Sequence, residues 1–177
     1  MVFEPQPQEL FAGDKAPARL TRLRDKYRYL EELGVERLMC VNFSKSFASQ
    51  TAETFIEELL VKQLGVKHLI IGDDFRFGKQ RQGDFTMLKS YGKQLGFTVT
   101  DTASFKFEDC RISSTAIRSA LEQDHLDEAA RMLGRDYAIS GKVFHGDKNG
   151  RKLGFPTANV LLKRRVSPVS GLSLIHI

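Results

Sequence analysis

The sequence has few cysteines, no long apolar run and no beginning that resembles a leader. Its two cysteines, Cys40 and Cys110, are too few for a disulfide scaffold or a zinc cluster. No apolar run approaches the roughly 18 residues that a membrane helix needs. The first residues lack the basic region and apolar stretch of a signal peptide. We therefore expect a cytoplasmic protein with no membrane partner, whose cysteines are buried thiols.

The basic excess of the chain is confined to one end. The net charge is +5, but residues 1–139 contain twenty Lys and Arg against twenty-one Asp and Glu. Residues 140–177 contain seven basic residues and a single acid, Asp147. This basic end is either a solvated surface or a binding surface for nucleic acid or a phosphorylated small molecule.

The order of apolar patterns indicates an α/β fold. The 177 residues are 41% hydrophobic and 28% charged, as in ordinary globular proteins, which excludes collagen, coiled coils and wholesale disorder. Strands alternating with helices favour a parallel sheet joined by right-handed crossovers. Helical spacing predicts helices at 23–33, 51–64, 84–95, 113–121 and 124–133, and apolar runs predict strands at 37–43, 66–71 and 97–100. The second helix should bury Phe55, Ile56, Leu59, Leu60 and Leu64.

From residue 137 onward the pattern becomes strand-like and rich in glycine. We therefore place a domain boundary near 134–136, with an α/β domain at 1–134 and the beginning of an all-β unit at 135–177. About forty residues do not close a barrel or sandwich by themselves.

The segment Gly72–Gly78 follows a predicted strand directly. Its glycines allow a tight turn or close approach to a ligand, and its acids and aromatics could contact a ring system. The alternative is a polar loop whose Phe75 and Phe77 belong to the core.

The segment Arg111–Arg118 contains three consecutive hydroxyl residues at a predicted helix start. A helix N-terminus with nearby arginines suits a phosphate group. The alternative is a capped helix with surface arginines.

The glycine-rich segment 141–159 contains neither a Walker A loop nor a dinucleotide fingerprint. Its turns could wrap phosphates, and Thr157 and Asn159 offer a hydroxyl and an amide oxygen suited to Mg²⁺. The alternative is a hairpin with an Asn149-Gly150 turn.

Four segments carry a family resemblance through their order and spacing: Phe3–Pro7, Gly72–Gly78, Arg111–Thr115 and Gly154–Asn159. Together they resemble the bacterial bifunctional riboflavin kinase/FMN adenylyltransferases, or FAD synthetases, over residues 1 to about 171. The resemblance implies a Rossmann-like nucleotidyltransferase domain that joins FMN to the AMP part of ATP. It also implies the start of a small riboflavin kinase β-barrel that phosphorylates riboflavin.

The resemblance also implies roles for particular residues, with ATP, riboflavin, FMN and FAD as substrates or products and Mg²⁺ as the metal. The ATP and FMN phosphates would contact Arg111, Ser114, Thr115 and Arg118. The flavin would contact Phe3, Pro5, Asp74 and Phe75. The kinase nucleotide would contact Gly141, Gly146, Gly150, Gly154, Phe155, Thr157 and Asn159. Mg²⁺ would be held by Thr157 and Asn159.

The chain departs from the family pattern at both ends. The glycine- and histidine-rich loop of the G-x-F-D-G-x-H-x-G-H type does not occur, and residues 172–177 do not resemble the family's next strand. The kinase's catalytic glutamate lies further along in family members. We therefore expect no catalytic residue in this chain, which would be a fragment inactive in both reactions.

Two other classes of function compete with this interpretation. A flavin- or nucleotide-binding module without catalysis would use the same binding motifs. A nucleic-acid-binding protein would need aromatics interleaved with the charges, and none follows Phe155. We therefore expect small-molecule partners and no nucleic acid, while the oligomeric state stays open.

Overall fold

The computed structural model describes residues 1–72, 74–102, 106–107, 110–144, 146, 152, 154, 159–162 and 166–170, with Phe107 and Cys110 described by their backbone alone. The chain forms two compact units. Unit 1 comprises Met1–Gly13 and Met39–Lys106, and unit 2 comprises Asp14–Leu38 and Phe107–Ile177. The predicted boundary near residue 134 divides the chain differently and stays a prediction.

The strands form parallel pairs in unit 1 and an antiparallel pair in unit 2. In unit 1, β1 pairs in parallel with β2, and β3 pairs in parallel with β4. In unit 2, β7 pairs with β8 in antiparallel orientation. The strands are β1 (Val2–Glu4), β2 (Cys40–Asn42), β3 (His68–Gly72), β4 (Thr98–Thr102), β5 (Lys106–Phe107), β6 (Cys110–Arg111), β7 (Lys142–Phe144) and β8 (Asn159–Leu161).

Several helices follow a residue whose side chain accepts a hydrogen bond from a free backbone N–H group of the first turn. Thr51, Asp84 and Ser113 each accept a hydrogen bond from the backbone N–H three residues later. The helices are α1 (Pro7–Ala12), α2 (Leu23–Glu32), α3 (Lys45–Ala48), α4 (Ala52–Thr54), which continues as a π-helical segment (Phe55–Gln63), α5 (Phe85–Leu95), α6 (Ser114–Glu122) and α7 (Leu126–Leu133). Among these described residues, no helix has the length and apolarity to cross a membrane.

The α/β class is confirmed, and most helices lie where the sequence predicts them. The pattern did not predict β1, α1 or α3, because each is six residues or shorter. Segments this short contain too few residues to show a strand or helix period. The strand expected at 37–43 is limited to Cys40–Asn42.

Each unit has its own apolar core. In unit 1, Ile56 and Leu88 are fully buried beside Phe55, Leu59 and other apolar side chains. In unit 2, the core consists of side chains from α6 and α7: Ile117, Ala120, Leu121, Ala129 and Met132.

Two predictions about burial are wrong. Leu64 is 43% exposed because the helix before it is π-helical: the Leu64 N–H donates to the Leu59 carbonyl five residues back, at 3.0 Å. The wider turn rotates Leu64 off the face that a 3.6-residue period assigns to it. Cys40 is exposed because its neighbour Val41 occupies the core side of β2 and strand side chains alternate. The Cys110 side chain lies outside the described part.

Candidate functional site

Unit 1 carries a continuous series of phenylalanine rings, here called the aromatic run. Neighbouring ring centroids in the series are 5.1 to 6.3 Å apart, which is contact distance for aromatic pairs. The rings follow the order Phe11, Phe43, Phe3, Phe47, Phe55, Phe77 and Phe75.

The aromatic run begins at the surface with Phe11, passes through the core at Phe55 and Phe77, and ends at the half-buried Phe75. Phe55 and Phe77 are 4% and 6% exposed, whereas Phe11 is 72% exposed. Phe3 and Phe75, both predicted flavin contacts, are half-buried. The alternative prediction, in which Phe75 and Phe77 both belong to the core, therefore holds for Phe77 and only in part for Phe75. The more exposed rings pack on more buried ones, so the run offers a flat ligand an apolar surface whose position is fixed by the core.

The run lies near the carboxyl ends of parallel strands. Phe3 is in β1, Phe43 follows β2 directly, and Phe75 and Phe77 follow β3. In open α/β sheets, ligands bind outside these strand ends. The structure joins Phe3 to Phe75 through Phe47, Phe55 and Phe77.

Asp74 and Pro5 also lie just after strand ends. Asp74 is exposed and follows Gly72 by two residues. A Cβ at Gly72 would lie 3.0 Å from the Asp74 Oδ1 atom, so the glycine leaves room for that carboxylate to fold back toward the end of β3. The Phe75 N–H donates to the Gly72 carbonyl at 3.1 Å, which closes the turn. Pro5 is half-buried and immediately follows β1.

Sequence reasoning missed Phe11 and Phe43 as candidates. The sequence pattern assigns Phe43 to the predicted strand 37–43, and Phe11 lies in the short helix α1, which the pattern does not predict. The sequence carries a signal for Phe11, which comes one helical turn after Pro7. It carries none for Phe43, which meets Phe3 only through the long-range β1–β2 contact.

Unit 2 carries the candidate phosphate site at the start of α6. The Ser113 hydroxyl accepts the Ala116 N–H at 3.2 Å and so caps the helix. Ser114 and Thr115, the two predicted phosphate contacts in the first turn, are exposed, as is Arg111. Because Ser113 takes the cap, the next two hydroxyl groups are placed beside the helix N-terminus, where an anion is favoured.

Arg118 is held by a contact that the sequence could not reveal. Its Nε donates to the Ala18 carbonyl at 2.6 Å, across 100 residues of sequence. Burial lowers the pKa of Arg118 from its ordinary value, and Glu122, one turn later, acts in the opposite direction. A guanidinium has five N–H donors, so this contact fixes the side chain and leaves its two terminal amino groups to donate elsewhere.

Of the predicted kinase residues, Gly141, Gly146 and Asn159 lie at the β7–β8 pair. Phe144 pairs with Asn159 in the ladder. A Cβ at Gly146 would lie 2.5 Å from the Asn159 Nδ2 atom, and one at Gly141 would lie 2.9 Å from the Leu161 carbonyl oxygen. Both glycines thus permit close packing on β8. Gly154 has a φ of +84°.

Several of the predicted kinase residues lie outside the part of the chain that the structure describes. Gly150, Phe155 and Thr157, and with them the predicted Asn149-Gly150 turn, lie outside the described residues. Of the predicted Mg²⁺ ligands, only the half-buried Asn159 is described. Within the described part of the chain, no group of three or more His, Cys, Asp or Glu residues is arranged to hold a metal ion.

Two family models match the chain in succession. The model described as FAD synthetase matches residues 1–116. The model described as riboflavin kinase matches residues 133–174. The two matches follow the order of domains that the sequence motifs imply.

The similar proteins are longer than this chain. The bifunctional riboflavin kinase/FMN adenylyltransferase of Escherichia coli (strain K12) is 57% identical over 177 residues, which is 100% of this chain and 56% of that protein. The Haemophilus influenzae protein of the same name is 51% identical over 100% of this chain and 58% of its own length. The chain therefore spans a little over half the length of these relatives.

A solved structure has the same fold. It is described as a macrolide-efflux protein from Streptococcus pneumoniae, and it superposes with a TM-score of 0.78 at 31% sequence identity. The match covers 96% of this chain and 56% of that one.

Proposed function

The chain belongs to the FAD synthetase family, and from this premise we propose that it functions in FAD biosynthesis. In this proposal ATP phosphorylates riboflavin to FMN, and a second ATP adenylylates FMN to FAD with release of pyrophosphate. The proposed activities are those of a bifunctional kinase and nucleotidyltransferase. They are proposed for the whole protein, because this chain spans about half the length of its relatives.

The observation that carries the proposal is the aromatic run in unit 1. The flavin ring is flat and apolar on its faces, so it can stack on rings such as Phe11 and Phe43. Its polar edge needs hydrogen-bond partners, and the exposed carboxylate of Asp74 is an acceptor near the same strand ends. We assign Phe3, Pro5, Asp74 and Phe75 to flavin binding and add Phe11 and Phe43.

The start of α6 supports phosphate binding in unit 2. Arg111, Ser114 and Thr115 are exposed at a capped helix N-terminus. Arg118 contributes from about one turn into α6, and its Nε–H contact with Ala18 limits its movement. These groups would act by positioning phosphates and neutralising their charge, which is how phosphoryl and nucleotidyl transfer are chiefly accelerated.

The kinase half of the proposal rests on the second domain match. Gly141, Gly146, Gly150, Gly154 and Phe155 would border the ATP, and Thr157 and Asn159 would hold Mg²⁺ through a hydroxyl and an amide oxygen. The metal would neutralise phosphate charge. Because ATP is the proposed donor, we place the protein in the cytoplasm, with flavins and ATP as its partners.

Phe11→Ala tests the flavin assignment. Loss of one stacking ring should weaken FMN binding about threefold to tenfold, since an aromatic pair contributes about 0.5–1.5 kcal/mol. Quenching of FMN fluorescence on titration with the protein measures this affinity. Tyr27→Ala is the matched control, because Tyr27 is an aromatic residue on α2, outside the run, and is 44% exposed.

A turnover assay accompanies these titrations, because binding and catalysis are separate parts of the proposal. Incubation with riboflavin or FMN and Mg-ATP, followed by chromatography of the flavins, measures turnover. Binding without turnover would match the expectation that this chain contains no catalytic residue, and it is also what a non-catalytic binding module would give. Failure of FMN to bind, or an equal loss in the Phe11→Ala and Tyr27→Ala variants, would contradict the flavin assignment.

A further inference from the structure

A short hairpin, here called the 77–83 hairpin, follows the end of the aromatic run. Phe77 and Gly83 form its base through two hydrogen bonds, Phe77 N–H to the Gly83 carbonyl at 3.1 Å and Gly83 N–H to the Phe77 carbonyl at 2.9 Å. A Cβ at Gly83 would lie 2.5 Å from the Phe77 ring. Because Phe77 is core and stacks on Phe75 at 5.6 Å, the base of the hairpin is continuous with the candidate flavin site.

The hairpin is fixed to the segment that begins α4 by contacts of Gly78 and Lys79. A Cβ at Gly78 would lie 2.7 Å from the Ala52 backbone, so the loop packs directly on the start of α4. The Lys79 N–H donates to the Gln50 carbonyl at 2.7 Å. The loop therefore has a defined position set by backbone contacts.

The tip of the hairpin has a conformation that its residues disfavour. Gln80 and Arg81 have φ angles of +55° and +59°, and the Gln82 N–H donates to the Lys79 carbonyl at 3.3 Å. Two successive left-handed residues within such a bond form a type I′ turn, for which Asn-Gly is preferred. Glutamine and arginine at these positions are unfavourable for stability, and strained non-glycine residues cluster at functional sites.

The tip also presents positive charge. Lys79 and Arg81 are exposed, and within the described part of the chain neither forms an ion pair. By contrast, the neighbouring Arg76 is paired with Asp84, its Nη1 lying 3.3 Å from Oδ2. The two cations at the tip are therefore available to an external anion.

We propose that Lys79 and Arg81 form a binding site for a phosphate group of the flavin or nucleotide substrate. A phosphate is the anion that matches this chemistry, because Arg and Lys donate charge-assisted hydrogen bonds to its oxygens. The preferred Asn-Gly pair would place a glycine at position 81. The strained turn instead places the cationic side chain of Arg81 at the tip. The proposal rests on the proposed function for the choice of substrates.

The experiment compares three variants by their ligand affinities and thermal unfolding. The double variant Lys79→Gln/Arg81→Gln removes both charges. The double variant Gln80→Asn/Arg81→Gly installs the preferred turn. Lys67→Gln is the matched control, because Lys67 is also exposed but precedes the opposite, amino end of β3. FMN, riboflavin, ATP and inorganic pyrophosphate are titrated with each variant.

We expect the charge-removing variant to lose about tenfold or more in affinity for the phosphate-bearing ligand, since hydrogen bonds to charged groups contribute strongly. Riboflavin, which has no phosphate, should bind unchanged. The Asn-Gly variant should melt at a higher temperature and still lose affinity. Loss confined to FMN identifies the flavin phosphate as the ligand, and loss confined to ATP and pyrophosphate identifies the nucleotide.

Three outcomes would overturn the proposal: unchanged affinity for every phosphate ligand, an equal loss for riboflavin, or the same loss in the Lys67→Gln variant. If the wild-type chain binds neither FMN nor ATP, the proposed function fails instead. Pyrophosphate then decides the hairpin by itself: binding that the double charge variant abolishes supports the site, and absence of binding overturns it.

Discussion

Ser113 and Ser114 are adjacent in the sequence but differ in their contacts at the start of α6. The Ser113 hydroxyl accepts the Ala116 N–H at 3.2 Å, so it stabilises the helix. The exposed Ser114 is the first residue of the helix, where its hydroxyl can contact a phosphate. Residue type alone does not separate these roles, since both are serines beside a helix N-terminus.

Alanine at each serine should therefore have a different effect. Ser113→Ala should lower the free energy of unfolding by about 1 kcal/mol, the ordinary contribution of an N-cap side chain. Ser114→Ala should leave stability within about 0.5 kcal/mol, as for exposed substitutions, and weaken ATP binding. Urea unfolding and calorimetric titration with ATP measure the two quantities. An equal loss of stability in both variants would contradict the division of roles.

At the scale of elements, the sequence predicted the helix starts that local hydrogen bonds determine, but it did not predict contacts between distant residues. The caps at Thr51, Asp84 and Ser113 depend on neighbours three residues away, so the sequence contains all that determines them. Leu64 was misplaced because nothing in its apolar spacing distinguishes a π-helical turn from an α-helical one. The Arg118–Ala18 contact joins residues 100 positions apart, and periodicity carries no information about such a pair.

Another long-range contact joins α2 to the segment before β7. Asp25, in the first turn of α2, is 7% exposed, and its Oδ1 accepts the hydroxyl of Ser140. The Arg22 Nη1 atom donates to the Ser140 carbonyl at 3.3 Å. Arg135 lies over the Tyr29 ring, 3.9 Å from its centroid. These contacts hold residues 135–140, which lead into β7, against α2.

The Asp25–Ser140 pair should contribute measurably to stability. Ser140→Ala leaves a buried carboxylate without this donor, so we expect a loss of about 1.5–3 kcal/mol, as for hydrogen bonds to charged groups. Asp25→Asn should cost less, because the amide oxygen can still accept the hydroxyl. Chemical unfolding of Ser140→Ala, Asp25→Ala and the double variant gives the coupling energy, since each of these substitutions removes the hydrogen bond. Asp127→Asn, an exposed acid in the first turn of α7, is the control. A coupling energy near zero would contradict the contact.

At the scale of the whole molecule, the basic excess coincides with the segment that matches the riboflavin kinase family model. Residues 140–177 contain seven basic residues and one acid, and they fall largely within the segment 133–174 that matches riboflavin kinase. In the proposed function this is the part of the chain that would face the phosphates of ATP. The remainder of the chain is nearly neutral, so its proposed phosphate sites depend on individual residues such as Arg118 and Arg81.

The two units differ in their cores, and this difference is open to measurement. Leu88 on α5 is fully buried in the unit 1 core, and Leu121 on α6 is 3% exposed in the unit 2 core. Truncation of either to alanine should cost about 2–5 kcal/mol, because the side chain leaves a cavity. Amide hydrogen exchange followed residue by residue shows where that cost appears.

We expect Leu88→Ala to reduce protection chiefly in α5 and β3, and Leu121→Ala to reduce it chiefly in α6 and α7. Each substitution removes contacts from its own core, so the amides of that core should open more readily. Lys93→Ala, at an exposed position on α5, controls for the effect of substitution itself. If both leucine variants reduced protection equally in every helix, the two cores would behave as one cooperative unit, and the division into units would describe geometry without describing stability.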